Sequence, residues 1–111
     1  MSEFMVVNDA NFKTEVLESK LPVLVEFGAA WCQPCKQLEP LLKQLADGWQ
    51  GKVRLAHVNV DEASDLVMRF GVMSVPTTLL FIGGQPKERL TGFQPKEKML
   101  AKLTPHLQGL I

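Results

Sequence analysis

Surplus charge is the first thing this sequence lacks. Lysine and arginine total 12, aspartate and glutamate total 12, and the formal net charge is zero. A protein that works mainly on nucleic acid needs a basic excess to displace counterions from phosphates, so no nucleic-acid partner is expected. Long apolar runs are missing as well. None approaches the ~20 residues a membrane helix requires, so no membrane partner is expected. Met1-Ser2-Glu3-Phe4 has neither the basic nor the apolar stretch that directs export, and the expected compartment is the cytoplasm. Repeats, linkers and low-complexity segments are absent. Cysteine is scarce: Cys32 and Cys35 are the whole inventory. A secreted scaffold stapled by disulfides would carry more of them, spread along the chain. A bridge across so short a loop constrains little unfolded-chain entropy, so the pair calls for a chemical explanation.

What is present is a chain of 111 residues and 12.4 kDa, 46% hydrophobic and 22% charged. That suits one globular domain over residues 1–111 and leaves no room for a second core of ordinary size. Met5-Val6-Val7 reads as a short edge strand. Asn8 or Asp9 can cap a helix with Phe12, Val16 and Leu17 inward, ending near Ser19-Lys20. Val23 to Phe27 is a nearly continuous apolar run, as in a strand buried on both faces. From Cys35 the period becomes helical through Leu38, Leu41, Leu42 and Leu45, with Pro34 in the first turn and Pro40 inside as a kink. Val53 to Val60 reads as a second buried strand, and Ala63 to Phe70 as a short helix stopped by Gly71. Thr77 to Ile82, Gly83-Gly84 and Lys87 to Thr91 form a hairpin. Pro95 opens a last helix, which Thr104-Pro105 should end or kink. The alternation implies parallel crossovers with an antiparallel edge, in a mixed sheet covered by helices on both sides.

The dithiol sits where it should react. Cys32 follows a buried strand and begins a helix, where unpaired N–H groups and the positive dipole end stabilise an anion. Sulfur attacks as the thiolate, and an ordinary thiol at pKa ~8.5 is only a few per cent ionised at neutral pH. Cys35, one turn later, can donate its S–H to that anion and can resolve a mixed disulfide formed at Cys32. Two blander readings compete: inert core thiols, or half of a zinc site. Zinc would need two more ligands, and His57 and His106 do not lie at zinc-finger spacing, so no metal is expected.

Val23-Leu24-Val25-Glu26-Phe27 running into Trp31-Cys32-Gln33-Pro34-Cys35-Lys36, with Pro40 beyond, resembles the thioredoxin family. The resemblance continues through Asn59-Val60-Asp61, Val75-Pro76-Thr77, Gly84 and Gly92, and so covers nearly the whole chain. It implies an α/β thioredoxin-like fold, a mixed five-stranded sheet flanked by four helices. It implies reversible reduction of protein disulfides by dithiol–disulfide exchange, with no bound cofactor. Cys32 would attack and Cys35 resolve, in a family whose attacking thiol has a pKa near ~7. The Val75-Pro76 bond would be cis and face the dithiol. Trp31, Pro34 and Gly92 would form a shallow apolar surface for the substrate backbone, with Met73 and Phe93 enlarging its rim. The implied partners are disulfide-containing proteins and a thioredoxin reductase, NADPH- or ferredoxin-linked, and the chain is expected to be a monomer.

Glu26 interrupts an apolar strand at the position where the family usually has an aspartate that accepts the second cysteine's proton. Desolvation should raise its pKa towards the range useful for a general base. His57, where the family often has lysine, falls on the neighbouring strand and should share the proton handling. Gln33 stands in place of a glycine. Gly28 stands in place of a common tryptophan, so the packing behind the site must differ, with either greater local mobility or a wetter path to Glu26 as the expected consequence. Rival readings are an oxidase or isomerase on the same fold, and a binding module whose dithiol is idle.

Overall fold

The apolar run from Val23 becomes the centre of the molecule. In the computed structural model, which describes residues 2–111, all six residues of β2 (Val23–Gly28) are buried. β3 (Arg54–Asn59) lies parallel to β2 on one side, and β1 (Phe4–Val7) runs parallel to β3 at the edge. On the other side β4 (Thr77–Ile82) runs antiparallel to β2 and is followed by β5 (Gln85–Thr91). The sheet order is therefore β1-β3-β2-β4-β5. Four helical segments flank it, a π-helical turn at Lys13–Leu17, α1 (Gln33–Gly48), α2 (Ser64–Arg69) and α3 (Lys96–Leu107), and a short 3-10 turn at Val60–Glu62 leads from β3 towards α2.

Strand alternation divides the core in two. Val23, Val25 and Phe27 point to the face that holds Phe12, Val16 and Phe81. Leu24 points the other way, into a cluster with Leu38 and Leu42 of α1 and Leu103 of α3. By the same period of two, Glu26 and Gly28 share the Leu24 face, and His57 shares it on β3 with Leu55. Both polar side chains are thus aimed at the helix that carries the cysteines. The sequence order alone places them there.

Three local expectations change. The first helix is a single π-turn that closes with a Glu18 N–H to Lys13 carbonyl bond and ends before Ser19. Its entry turn is held by Asn8, whose Oδ1 accepts from the Ala10 and Asn11 N–H groups. Asp9 does not serve this segment: its carboxylate accepts from the Asp65 and Leu66 N–H groups and caps α2 instead. Pro105 does not end α3, which continues to Leu107. The lost N–H bond is outweighed by the burial of Leu107, and His106 Nε2 pairs with Glu88 Oε1 on β5 at 3.1 Å. Pro40 likewise lies within an unbroken α1.

At the hairpin, Gly83 and Gly84 both adopt positive φ, as a two-residue turn between twisted strands requires. A Cβ on Gly84 would come within 2.7 Å of the Leu17 carbonyl oxygen, so the turn docks on the end of the π-helical segment only without a side chain.

Candidate active site

The dithiol lies where β2 hands over to α1. Cys32 is the N-cap of α1 and Cys35 sits in its first turn, with Pro34 between them at a position whose N–H has no helical partner in any case. The two sulfurs are joined as a disulfide, so this is the oxidised state. The Cys35 N–H donates to Cys32 Sγ at 3.2 Å. Among the described residues only the Cys32 sulfur of the pair receives such a bond, so a charge left there on reduction is held by a helix-end amide. Cys35 is fully buried, whereas Cys32 retains 3% exposure among the exposed Trp31, Gln33 and Pro34. Of the two, Cys32 is the sulfur that faces outward.

Around this rim lie several of the apolar residues singled out in the sequence. The Val75–Pro76 bond is cis, and Val75 packs against the cluster of Ala29, Cys32 and Cys35. Trp31, Met73 and Val75 line a groove with Val60, Val67 and Val72. Met73 is almost wholly exposed and Phe93 about half. Gly92 adopts φ +76° and its N–H donates to the Pro76 carbonyl, which ties the start of the last loop to the cis bond. The Trp31 indole N–H donates to Asp61 Oδ2 at 2.9 Å. Asp61 is in turn placed by Asn59, whose Oδ1 accepts the Asp61 N–H. The sequence reading gave Asp61 no task, although an acid next to a strand end, opposite an exposed indole, was a usable signal.

Behind the disulfide lies a second layer. Glu26 is fully buried, and Glu26 and His57 are direct neighbours across the β2–β3 ladder. His57 Nε2 stands 3.6 Å from Glu26 Oε1 and 3.6 Å from Glu39 Oε2. Glu39 is the residue that sequence reasoning missed. It lies one helical turn beyond Cys35, on the side of α1 that covers β2 and β3. Burial, and then the neighbouring Glu39 carboxyl, push the Glu26 pKa up from 4.5 to about 9. In the disulfide form Glu26 therefore carries its proton at neutral pH. That is beyond the range expected for a simple base, and it makes Glu26 a proton donor in this state. As the acid, Glu26 shares a side-chain hydrogen bond with Glu39, which favours its protonated form.

Gly28 separates the two layers. A Cβ placed there would lie 3.1 Å from His57 Nε2 and 3.3 Å from Cys35 Sγ. Room for a side chain at this point is taken by the imidazole and the sulfur, and the two groups face each other across a bare backbone. His106, the other histidine, is far along the chain and is engaged with Glu88. Among the described residues no helix is long and apolar enough to cross a membrane.

Comparison with known proteins agrees with this geometry. The family model described as "Thioredoxin" matches residues 3–105. A thioredoxin of Alicyclobacillus acidocaldarius is 45% identical over 104 residues, which cover 94% of this chain and 98% of that protein. Thioredoxin 1 of Nostoc sp. is 39% identical over 107 residues, 96% of this chain and 100% of the relative. A thioredoxin of Chlorobaculum thiosulfatiphilum is 39% identical over 105 residues, 95% and 97% respectively.

Proposed function

The chain belongs to the thioredoxin family and is a protein-disulfide reductase working by dithiol–disulfide exchange, and on that premise we propose which of its residues carry each step. In the dithiol form the Cys32 thiolate attacks one sulfur of a substrate disulfide. The Cys32–substrate bond forms, the substrate bond breaks, and the departing sulfur takes up a proton. Cys35 then gives its proton to the cluster behind it and attacks Cys32 Sγ. The mixed disulfide breaks, the second substrate thiol leaves, and the Cys32–Cys35 disulfide remains. Two electrons have passed to the substrate. The observation that carries this assignment is the Cys35 N–H directed at Cys32 Sγ.

The cluster of Glu26, His57 and Glu39 handles the proton as a unit, with Gly28 leaving its route to Cys35 open. When a reductase opens the disulfide, protonated Glu26 supplies the proton that the Cys35 sulfur needs. Trp31, Pro34, Met73, Val75, Pro76, Gly92 and Phe93 form the surface on which substrate backbone lies. Its apolar groove accepts a large apolar side chain beside the scissile disulfide.

A thioredoxin reductase partner and disulfide-containing protein substrates follow from the family. Within that frame, the chain acts as one domain and one monomer in the cytoplasm, where thiols are kept reduced, and is recharged by an NADPH- or ferredoxin-linked reductase. No cofactor enters the steps above.

Trapping separates the roles of the two cysteines. Cys35→Ser incubated with insulin should accumulate a mixed disulfide, mapped to Cys32 by mass spectrometry, because nothing resolves it. Cys32→Ser should trap nothing comparable. Adducts of similar yield on Cys35 in the Cys32→Ser protein would reverse the assignment.

A further inference from the structure

Sulfur outside the dithiol is carried by methionine, and the methionine side chains lie in sharply different surroundings. Among the described residues, Met99 is fully buried in the core, and the Met5 sulfur accepts from the Arg54 guanidinium at 3.0 Å. Met68 and Met73 have no such cover, being 81% and 96% exposed. These two differ in place. Met73 lines the groove with Trp31, Val60, Val72 and Val75, and Val75 packs against Ala29, Cys32 and Cys35. Met68, at the end of α2, lies outside that lining. In the disulfide form both cysteine sulfurs are already bonded to each other. Among the described residues, Met73 is then the one exposed thioether on the substrate surface.

We propose that Met73 is a modification site: a hydroperoxide converts its thioether to the sulfoxide, and the altered groove docks protein disulfides more weakly while the dithiol chemistry is untouched. The docking half of this rests on the substrate surface assigned above. One peroxide oxygen passes to Met73 Sδ. The S–O bond forms, the O–O bond breaks, and with hydrogen peroxide the remaining oxygen leaves as water. The sulfur gives up two electrons and the peroxide takes them. An unbranched, polarizable thioether follows apolar partners of different shape, which suits a surface that meets many substrates. The sulfoxide instead places a strong acceptor oxygen beside Trp31, Val60, Val67, Val72 and Val75. A substrate side chain that covers that oxygen strips away its water and offers no donor in return. The bond from the Cys35 N–H to Cys32 Sγ lies within the start of α1 and does not involve Met73. Oxidants favour the disulfide form, in which the cysteines are shielded from the same peroxide and Met73 is not. The outcome is a brake on protein reduction under oxidant load, which a methionine sulfoxide reductase releases.

The test treats the disulfide form of the full chain with hydrogen peroxide, opens the disulfide with dithiothreitol, which leaves the sulfoxide, and removes both reagents. Peptide mass spectrometry locates the added oxygen. Met73 and Met68 should take it up at least about tenfold faster than Met99. In single turnover the treated protein should reduce insulin at least about fivefold more slowly than the untreated one. It should reduce hydroxyethyl disulfide, too small and polar to need the groove, at the untreated rate. Met68→Leu should keep this whole response. Met73→Leu should show no peroxide effect relative to its own untreated rate, and a methionine sulfoxide reductase should restore the treated wild type. Met73 oxidised no faster than Met99, insulin reduction unchanged with Met73 fully converted, an equal loss with both disulfides, or a loss that persists in Met73→Leu would each overturn the proposal. Untreated Met73→Gln separates this outcome from the docking surface itself. Slower insulin reduction by that variant, with no effect of the sulfoxide, removes the modification alone; full rates in both remove the surface as well.

Discussion

Cys32→Ser should reduce insulin at least about 10³-fold more slowly than the wild type, because a hydroxyl cannot form or break a disulfide. Simple magnitudes show why the sulfur itself dominates over its tuning. Lowering a thiol from ~8.5 to ~7 raises the thiolate fraction at neutral pH roughly fifteenfold. The accompanying loss of nucleophilicity removes roughly fivefold of that gain. The helix N-terminus therefore contributes about a factor of three to attack. Removing the sulfur removes the pathway. Turbidity from precipitating insulin chains, with dithiothreitol as electron source, measures the loss. Turnover equal to wild type would refute the dithiol mechanism.

Glu26→Gln should make the protein more stable at neutral pH while slowing its chemistry. The folded pKa of Glu26 is raised from 4.5 to about 9. Below the lower value both folded and unfolded chains hold the proton, and the group has no linkage effect. Between the two values the unfolded chain releases the proton and the folded chain keeps it, so stability falls as pH rises, by about 1.4 kcal/mol per pH unit. By pH 7 the wild type has lost about 3 kcal/mol relative to acid conditions, comparable to the contribution of one fully buried leucine side chain. Glutamine keeps the shape of the neutral carboxyl and cannot release a proton. The stability difference between variant and wild type, from urea unfolding with EDTA present, should grow from near zero at pH 4 to about 3 kcal/mol at pH 7. Parallel pH profiles would contradict the burial of an ionisable Glu26. Resolution of the mixed disulfide should slow by no more than about 10²-fold, because His57 and Glu39 still accept the Cys35 proton. A group that destabilises the fold and speeds the reaction is the expected signature of a functional buried acid.

Much of this site could be read from the linear chain. A lone acid within Val23-Leu24-Val25-Glu26-Phe27 stands out against its apolar neighbours, and the parallel pairing of two buried strands sets His57 beside it. Glu39 could not be found that way. It lies in a stretch with Lys36, Gln37 and Lys43, where acids ordinarily face solvent, and only the packing of α1 on β2 and β3 turns it inward. Its one signal was the four-residue offset from Cys35. Asp9 was misassigned for a related reason: local spacing favours the nearest helix, and its true partner in α2 is more than fifty residues away. Pro105 shows the limit of backbone rules, since burial of Leu107 holds a turn that proline alone would end. Gly28 read as a missing tryptophan; in space it is the opening between an imidazole and a sulfur.

The most direct test of the exchange mechanism is the pH dependence of alkylation of the freshly reduced protein. Iodoacetamide should modify Cys32 first, identified by mass spectrometry, with a rate that titrates near ~7 and well below the ~8.5 of an ordinary thiol. A midpoint at or above the ordinary value, or faster modification of Cys35, would contradict the assignment of Cys32 as the attacking thiolate.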